Sequence, residues 1–169
     1  MRCACASRPA RRRPIARRSS GPSVAADSPV VVDAATVAKW GFNETDSATA
    51  LRLFDAWAAQ TLSLRAPDVL VAELGSICRR KVRAGEVTAD HAQQVHQVLH
   101  AILPPLVPSE DLADEALLLA SRHDRPFAEA LHLALAIRDG AIYVTADERM
   151  FRLLAPSFSC VQHLEDVAV

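Results

Sequence analysis

The feature that most narrows what this chain can fold into is a run of three β-branched residues, Val30-Val31-Val32, set off by Pro29 and running straight into Asp33. A strand with no polar position offers no face to solvent. It must be covered on both sides, as strands of a parallel sheet are. The acid that follows is the second constraint, because ligand sites of open α/β sheets lie outside the carboxyl ends of their strands. A second β-rich run, Ala141 to Thr145, is followed two residues later by Asp147. The two aspartates are therefore expected at neighbouring strand ends. Taken singly, either also reads as a helix cap, and Thr145 with Glu148 has the spacing of a capping box.

Helical periodicity fills the space between these strands. Leu51, Phe54, Trp57 and Ala58 recur at helical spacing across 47–60. Pro67 is read as opening a helix that carries Val69, Leu70, Leu74, Ile77 and Cys78 and stops at Gly85. Thr88 caps a helix to about His100. Leu103 to Val107, with two prolines inside, predicts a short or edge strand. Leu112–Ser121 and Phe127–Arg138 read as two more helices, the second apolar nearly all round and hence buried. Residues 147–154 predict a short helix and 158–164 a last strand. Strands alternating with helices imply a layered α/β domain with a mainly parallel sheet.

Composition bounds the rest. With 169 residues, half of them hydrophobic, one core suffices without disulfides or a structural metal. Cys3, Cys5, Cys78 and Cys160 form no CxxC, so the cysteine usage fits a reducing, cytoplasmic setting, with Cys78 and Cys160 as core residues. No apolar stretch reaches the length of a membrane span, and the glycines form neither a P-loop nor a GxGxxG. Residues 1–28 hold seven arginines against the single acid Asp27, leaving the remainder with 12 bases and 19 acids. This segment lacks an apolar pattern and is expected to be disordered, with the fold starting near Pro29. Arg17-Arg18 precedes no apolar stretch of signal-peptide length. A transit peptide fits the Arg and Ser content better than an export signal does, and the simpler reading is a start assigned upstream of the fold.

Two glutamates sit where acids are costly. On the helix after Pro67, Glu73 shares a face with Val69, Leu70 and Ile77. Glu129 lies in the buried helix with Leu133 at i+4. A lone buried carboxylate protonates or finds a cation; Arg79 or Arg80 is the obvious partner for Glu73, and His132, at i+3, for Glu129. Four acids aimed at one region repel one another, and a hard divalent cation, Mg²⁺ or Mn²⁺, resolves that repulsion. Such a cation would activate water and stabilise charge developing on a phosphodiester.

The segments Val31-Val32-Asp33-Ala34 with Lys39-Trp40, Ala66-Pro67-Asp68 leading to Glu73, Ala128 to Ala136, and Val144-Thr145-Ala146-Asp147-Glu148-Arg149 resemble the PIN-domain family in order and spacing, and within it the VapC-like toxins of type II toxin–antitoxin pairs. The resemblance covers about 30–165. It implies a three-layer α/β/α fold over 29–169, a Mg²⁺-dependent endoribonuclease acting on RNA, and a small antitoxin that masks the site. Asp33, Glu73, Glu129 and Asp147 would be the catalytic, metal-binding quartet, with Thr145 as a hydroxyl beside it. The chain departs from the family pattern at Glu129 where Asp is usual, at Ala35 where a small hydroxyl is common, and at Ser76 where Asn is usual. The extra methylene at Glu129 predicts a weakened nuclease.

Other readings fit less well. A haloacid-dehalogenase type of phosphatase needs a second acid two residues after the first, and Ala35 stands there. The six histidines include an i, i+4 pair, His96 and His100, but no HExxH, and read as solvated helix residues. Arg79, Arg80 and Arg83 cluster after Glu73, either to hold RNA phosphates or simply as cations at a helix C-terminus. The rival from another class is a PIN fold whose chemistry has lapsed and which serves as a protein-binding module. A homodimer is the default assembly.

Overall fold

The computed structural model describes residues 29–168. Residues 1–28, with the expected disorder, Cys3 and Cys5, lie outside the described residues. Five strands form one parallel sheet: β1 (Val30–Val32), β2 (Leu64–Pro67), β3 (Leu106–Val107), β4 (Ile142–Thr145) and β5 (Val161–His163). Their order is β3-β2-β1-β4-β5. The chain steps outward from β1 to β3, then returns across the sheet to place β4 on the other side of β1. The strand order therefore reverses between β1 and β4, and a crevice opens at their carboxyl ends.

The helices are α1 (Ala34–Ala38), α2 (Ser47–Ala58), α3 (Val69–Arg83), α4 (Ala89–Ala101), α5 (Ala113–His123), α6 (Phe127–Asp139) and α7 (Glu148–Leu154), with short 3₁₀ turns at 109–112 and 164–166. Alternation along β1 sends its side chains to two cores. Val30 and Val32 pack with Leu53, Leu70, Leu74 and Leu99 from α2, α3 and α4. Val31 and Tyr143 pack with Leu119, Leu131, Leu135 and Leu154 from α5, α6 and α7. The result is the expected three-layer α/β/α architecture. The α6 helix is buried along most of its length and ends at Gly140, whose φ of 60° suits glycine in the left-handed C-cap. Among the described residues, no helix is long and apolar enough to cross a membrane.

Three expectations need correcting. Pro67 does not open a helix; it closes β2, a strand that periodicity missed because exposed Arg65 interrupts its apolar run. A proline is tolerated there because the donors toward β3 are the Ala66 and Asp68 N–H groups, and the pairing with β1 on the other side ends at Arg65. A short helix, α1, follows β1 directly. In α2 the buried face is Ser47, Ala50 and Leu53, while Leu51 is exposed. Phe54 and Trp57 gather instead against Trp40, with ring centroids 5.1 and 6.2 Å from it.

Candidate active site

Asp33 leaves β1 in extended geometry and caps α1: its Oδ1 accepts the Thr36 N–H at 2.8 Å. Its other oxygen accepts the hydroxyl of Thr145, the last residue of β4, which is fully buried. That hydroxyl also accepts the Asp147 N–H at 3.0 Å. Asp147 in turn caps α7, its Oδ1 accepting the Arg149 and Met150 N–H groups at 2.9 and 3.0 Å. One hydroxyl thus ties the two strand ends together. The N-cap of α7 is Asp147 and not Thr145, because Thr145 is still in the strand and its oxygen is committed across the sheet.

Glu73, in the second turn of α3, and Glu129, in the first turn of α6, approach from opposite layers. With Asp33 and Asp147 they line a single cavity of about 220 Å³, floored by Tyr143 and His132 and reached by Arg80. Among the described residues neither glutamate accepts a hydrogen bond, and neither Arg79 nor Arg80 pairs with Glu73. Burial, then the charges of Asp33 and Glu129, push Glu73 up to about 7. Burial also raises Glu129, against the pull of Arg125.

His132 is the residue that sequence reasoning misplaced. Although on the same helix as Glu129, it faces Glu73, its Nε2 lying 3.6 Å from a Glu73 oxygen. Its ring is 1% exposed and stacks on Tyr143 at 5.8 Å, so it is no solvated helix histidine. His163 on β5 is buried as well, with Nε2 3.4 Å from Glu148. The His132 Nδ1 lies 3.2 Å from the Ala128 carbonyl, which takes only a donor. Nε2 is left as a buried lone pair with no hydrogen-bond partner. Burial holds this imidazole below its ordinary pKa, against the attraction of Asp33. The signal available in sequence was a polar ring within the fully buried stretch Ala130 to Ala136.

The donor set fits a hard cation. Among the described residues, four carboxylates without a hydrogen-bonded lysine or arginine, Glu73 pushed up to about 7 among them, and an imidazole nitrogen without a hydrogen-bond partner leave negative charge and lone pairs uncompensated. Among the described residues, no three His, Cys, Asp or Glu side chains are grouped tightly enough to chelate one ion by themselves. Mg²⁺ does not require that, since it usually keeps several waters and binds through one or two carboxylates.

Beside this cavity, Ser76, Arg79, Arg80 and Arg83 line a second concavity of about 520 Å³. Cys78 is buried in the core as expected, and Cys160 is half-buried.

The PIN domain family model matches residues 30–155, a span that takes in all four carboxylates. The chain belongs to the PIN domain family. Among solved structures, PAE2754 from Pyrobaculum aerophilum aligns at a TM-score of 0.58 and 18% identity, covering 82% of this chain and 85% of that one. VapC20 of Mycobacterium tuberculosis, a Sarcin-Ricin loop cleaving toxin, aligns at 0.53 and 19%, covering 76% of this chain and 95% of the toxin. At such identities the likeness is one of fold. No curated protein matches the chain. As a PIN domain, the chain has the fold of a family of nucleases that work with divalent metal ions.

Proposed function

We propose that this PIN domain is a metal-dependent endoribonuclease of the VapC-like toxin type. The observation that carries the reading is the meeting, in one cavity, of four carboxylates from four separate segments, none hydrogen-bonded to a lysine or arginine among the described residues. Asp33, Glu73, Glu129 and Asp147 would hold Mg²⁺ or Mn²⁺, which when bound lowers the pKa of a water and offsets charge on the reacting phosphodiester. Thr145 is a positioning residue: by donating to Asp33 and accepting from the Asp147 amide it sets the spacing of two ligands. Glu73 must release its proton to ligate, and with a pKa of about 7 it does so near neutrality. RNA as substrate, a small antitoxin covering the cavity, a homodimeric assembly and a cytoplasmic setting complete the reading.

The test is cleavage of RNA with Mg²⁺ or Mn²⁺, with and without excess chelator, by the unchanged chain and by Asp33→Asn. Cleavage is expected only with metal and only in the unchanged chain. Activity that survives the chelator, or an Asn variant as fast as the original, overturns the reading. The second reading, a PIN fold retained as a protein-binding module, draws on the longer Glu129 side chain. It takes over if neither the unchanged chain nor Glu129→Asp binds millimolar Mn²⁺ by calorimetry.

A further inference from the structure

Cations flank the acidic cavity on two sides, and the two sets differ in what they already hold. On one side Lys39 donates to the Thr45 carbonyl at 2.6 Å and to Glu44 at 3.4 Å. Lys81 pairs with Glu44 and, at 2.9 Å, with Glu86, and burial alone would lower its pKa while these acids raise it. Both lysines are neutralised within the fold. Toward the other side run Arg79, Arg80 and Arg83, with Arg80 lining the lysine concavity as well; all three are exposed and make no ion pair among the described residues. A phosphate arriving at the lysines must displace a carboxylate; at the arginines it meets no competitor.

Resting on the nuclease reading above, we propose that the arginine face of α3 is the substrate's phosphate-binding flank: Arg79, Arg80 and Arg83 seat backbone phosphates on one side of the reacting one and so fix the direction in which the strand crosses the cavity. The concavity they line shares Ser76 and Arg80 with the carboxylate cavity, so one strand can run from one into the other without leaving the surface. Positions 76, 80 and 83 lie on one helix face, with Arg79 beside them. At about 1.5 Å rise per residue, Arg80 stands about 10 Å and Arg83 about 15 Å along α3 from Glu73. The arginines therefore address neighbouring phosphates and leave the reacting one to the acids. The favourable placement of cations at a helix C-terminus accounts for finding basic residues here. It does not account for three of them lining one hollow that runs into the acidic cavity. In a described body whose acids outnumber its bases, three neighbouring arginines on this flank also help to orient an incoming polyanion.

The experiment is anisotropy of a labelled single-stranded RNA titrated with the full chain in chelator, at several salt concentrations, for the unchanged protein and for Arg79→Gln, Arg80→Gln, Arg83→Gln and the triple variant, with Arg122→Gln on α5 as control. Each loss of a phosphate contact should flatten the plot of log K against log salt by about 0.7, and the triple variant by about 2, while Arg122→Gln follows the unchanged chain. Arg83→Gln should raise KM several-fold and leave kcat alone. Thermal melts should fall by no more than the loss of favourable charge at the C-terminus of α3 allows, since among the described residues these side chains make no ion pair. A triple variant with unchanged slope, an unchanged chain that binds no RNA, or an Arg83→Gln that lowers kcat at constant KM overturns the proposal. Binding is read without metal, so failure of the cleavage reading, seen in the Asp33→Asn test, leaves this result standing by itself.

Discussion

The two strand-end aspartates and the two helix glutamates line the same cavity but are held by opposite means. Both Asp33 oxygens are engaged, one by the Thr36 amide and one by Thr145, and Asp147 accepts two amides at the start of α7. These carboxylates help build the fold, as N-caps that satisfy amides otherwise left bare. Glu73 and Glu129 accept no hydrogen bond among the described residues and are pushed toward protonation by burial. The fold gains nothing from them. The cavity thus draws half its carboxylates from residues that are also structural and half from residues that burial disfavours, and only the second half has no structural account of its own.

The sharpest break between the halves comes from a pair of variants. Asp33→Asn and Glu73→Gln should each slow RNA cleavage by more than about a hundredfold, since loss of a direct ligand exceeds the effect of losing its supporting shell. Their melting temperatures should move in opposite directions. Asp33→Asn loses the acceptor for the Thr145 hydroxyl and should cost about 1 kcal/mol. Glu73→Gln removes a charge that burial penalises and that Asp33 and Glu129 repel, and should gain on the order of 1 kcal/mol at pH 7 after solvent screening. If both fall together, the glutamate is structural too and the comparison fails.

Glu129→Asp probes the helix half alone. On the reading proposed above, withdrawing the carboxylate by about 1.5 Å, one carbon–carbon bond, would bring it to the place of a shorter Asp side chain. Cleavage should rise by about tenfold or Mn²⁺ should bind more tightly, because small misplacements in a reacting site are costly. A loss of both at unchanged fold means that the pocket has been rebuilt around the longer side chain.

Thr145→Val tests the aspartate half without touching a ligand. It deletes one hydroxyl that donates to Asp33 and accepts from the Asp147 amide, and should cost about 1–2 kcal/mol by denaturant titration. No stability change would show that the tie between strand ends holds nothing.

The smallest effect is in pH. Glu73 binds its proton more tightly folded, at about 7, than unfolded, near 4.5. Its contribution to stability is therefore fully present below 4.5 and is lost as pH rises through about 7. The metal-free protein should lose stability over that window, Glu73→Gln should remove that part of the slope, and Mn²⁺ affinity should run the other way, rising through pH 7. A slope that persists in the Gln variant assigns the titration to another group.

Much of this was legible in the chain. Val30 to Val32 and the apolar α6 announce themselves because a strand or helix with no polar face has only a buried environment open to it, and Asp33 and Asp147 follow their strands whatever the rest does. The strand Leu64–Pro67 was not legible: Arg65 points outward to pair with Asp139 at 3.2 Å, and a proline closes the strand, so four residues carry no period. The partner of His132 was not legible either. Sequence distance favours Glu129 at i−3, but that residue sits in the first turn of α6 at the cavity wall, while the imidazole, anchored to the Ala128 carbonyl, points across the sheet end toward α3.

The sequence by itself determined which residue types exist to be gathered, their order, and the local elements that carry them, because periodicity, caps and strand ends depend on neighbours a few positions away. The gathering was a tertiary decision. Asp33 and Thr145 are 112 residues apart, and their hydrogen bond exists only because β4 returns to pair with β1 in parallel register, Val32 beside Val144. The same crossing sets Glu73 and Glu129 on opposite layers over one strand-end crevice. Proximity across such distances follows from how two cores pack against one sheet, a condition that no local stretch of the chain encodes alone.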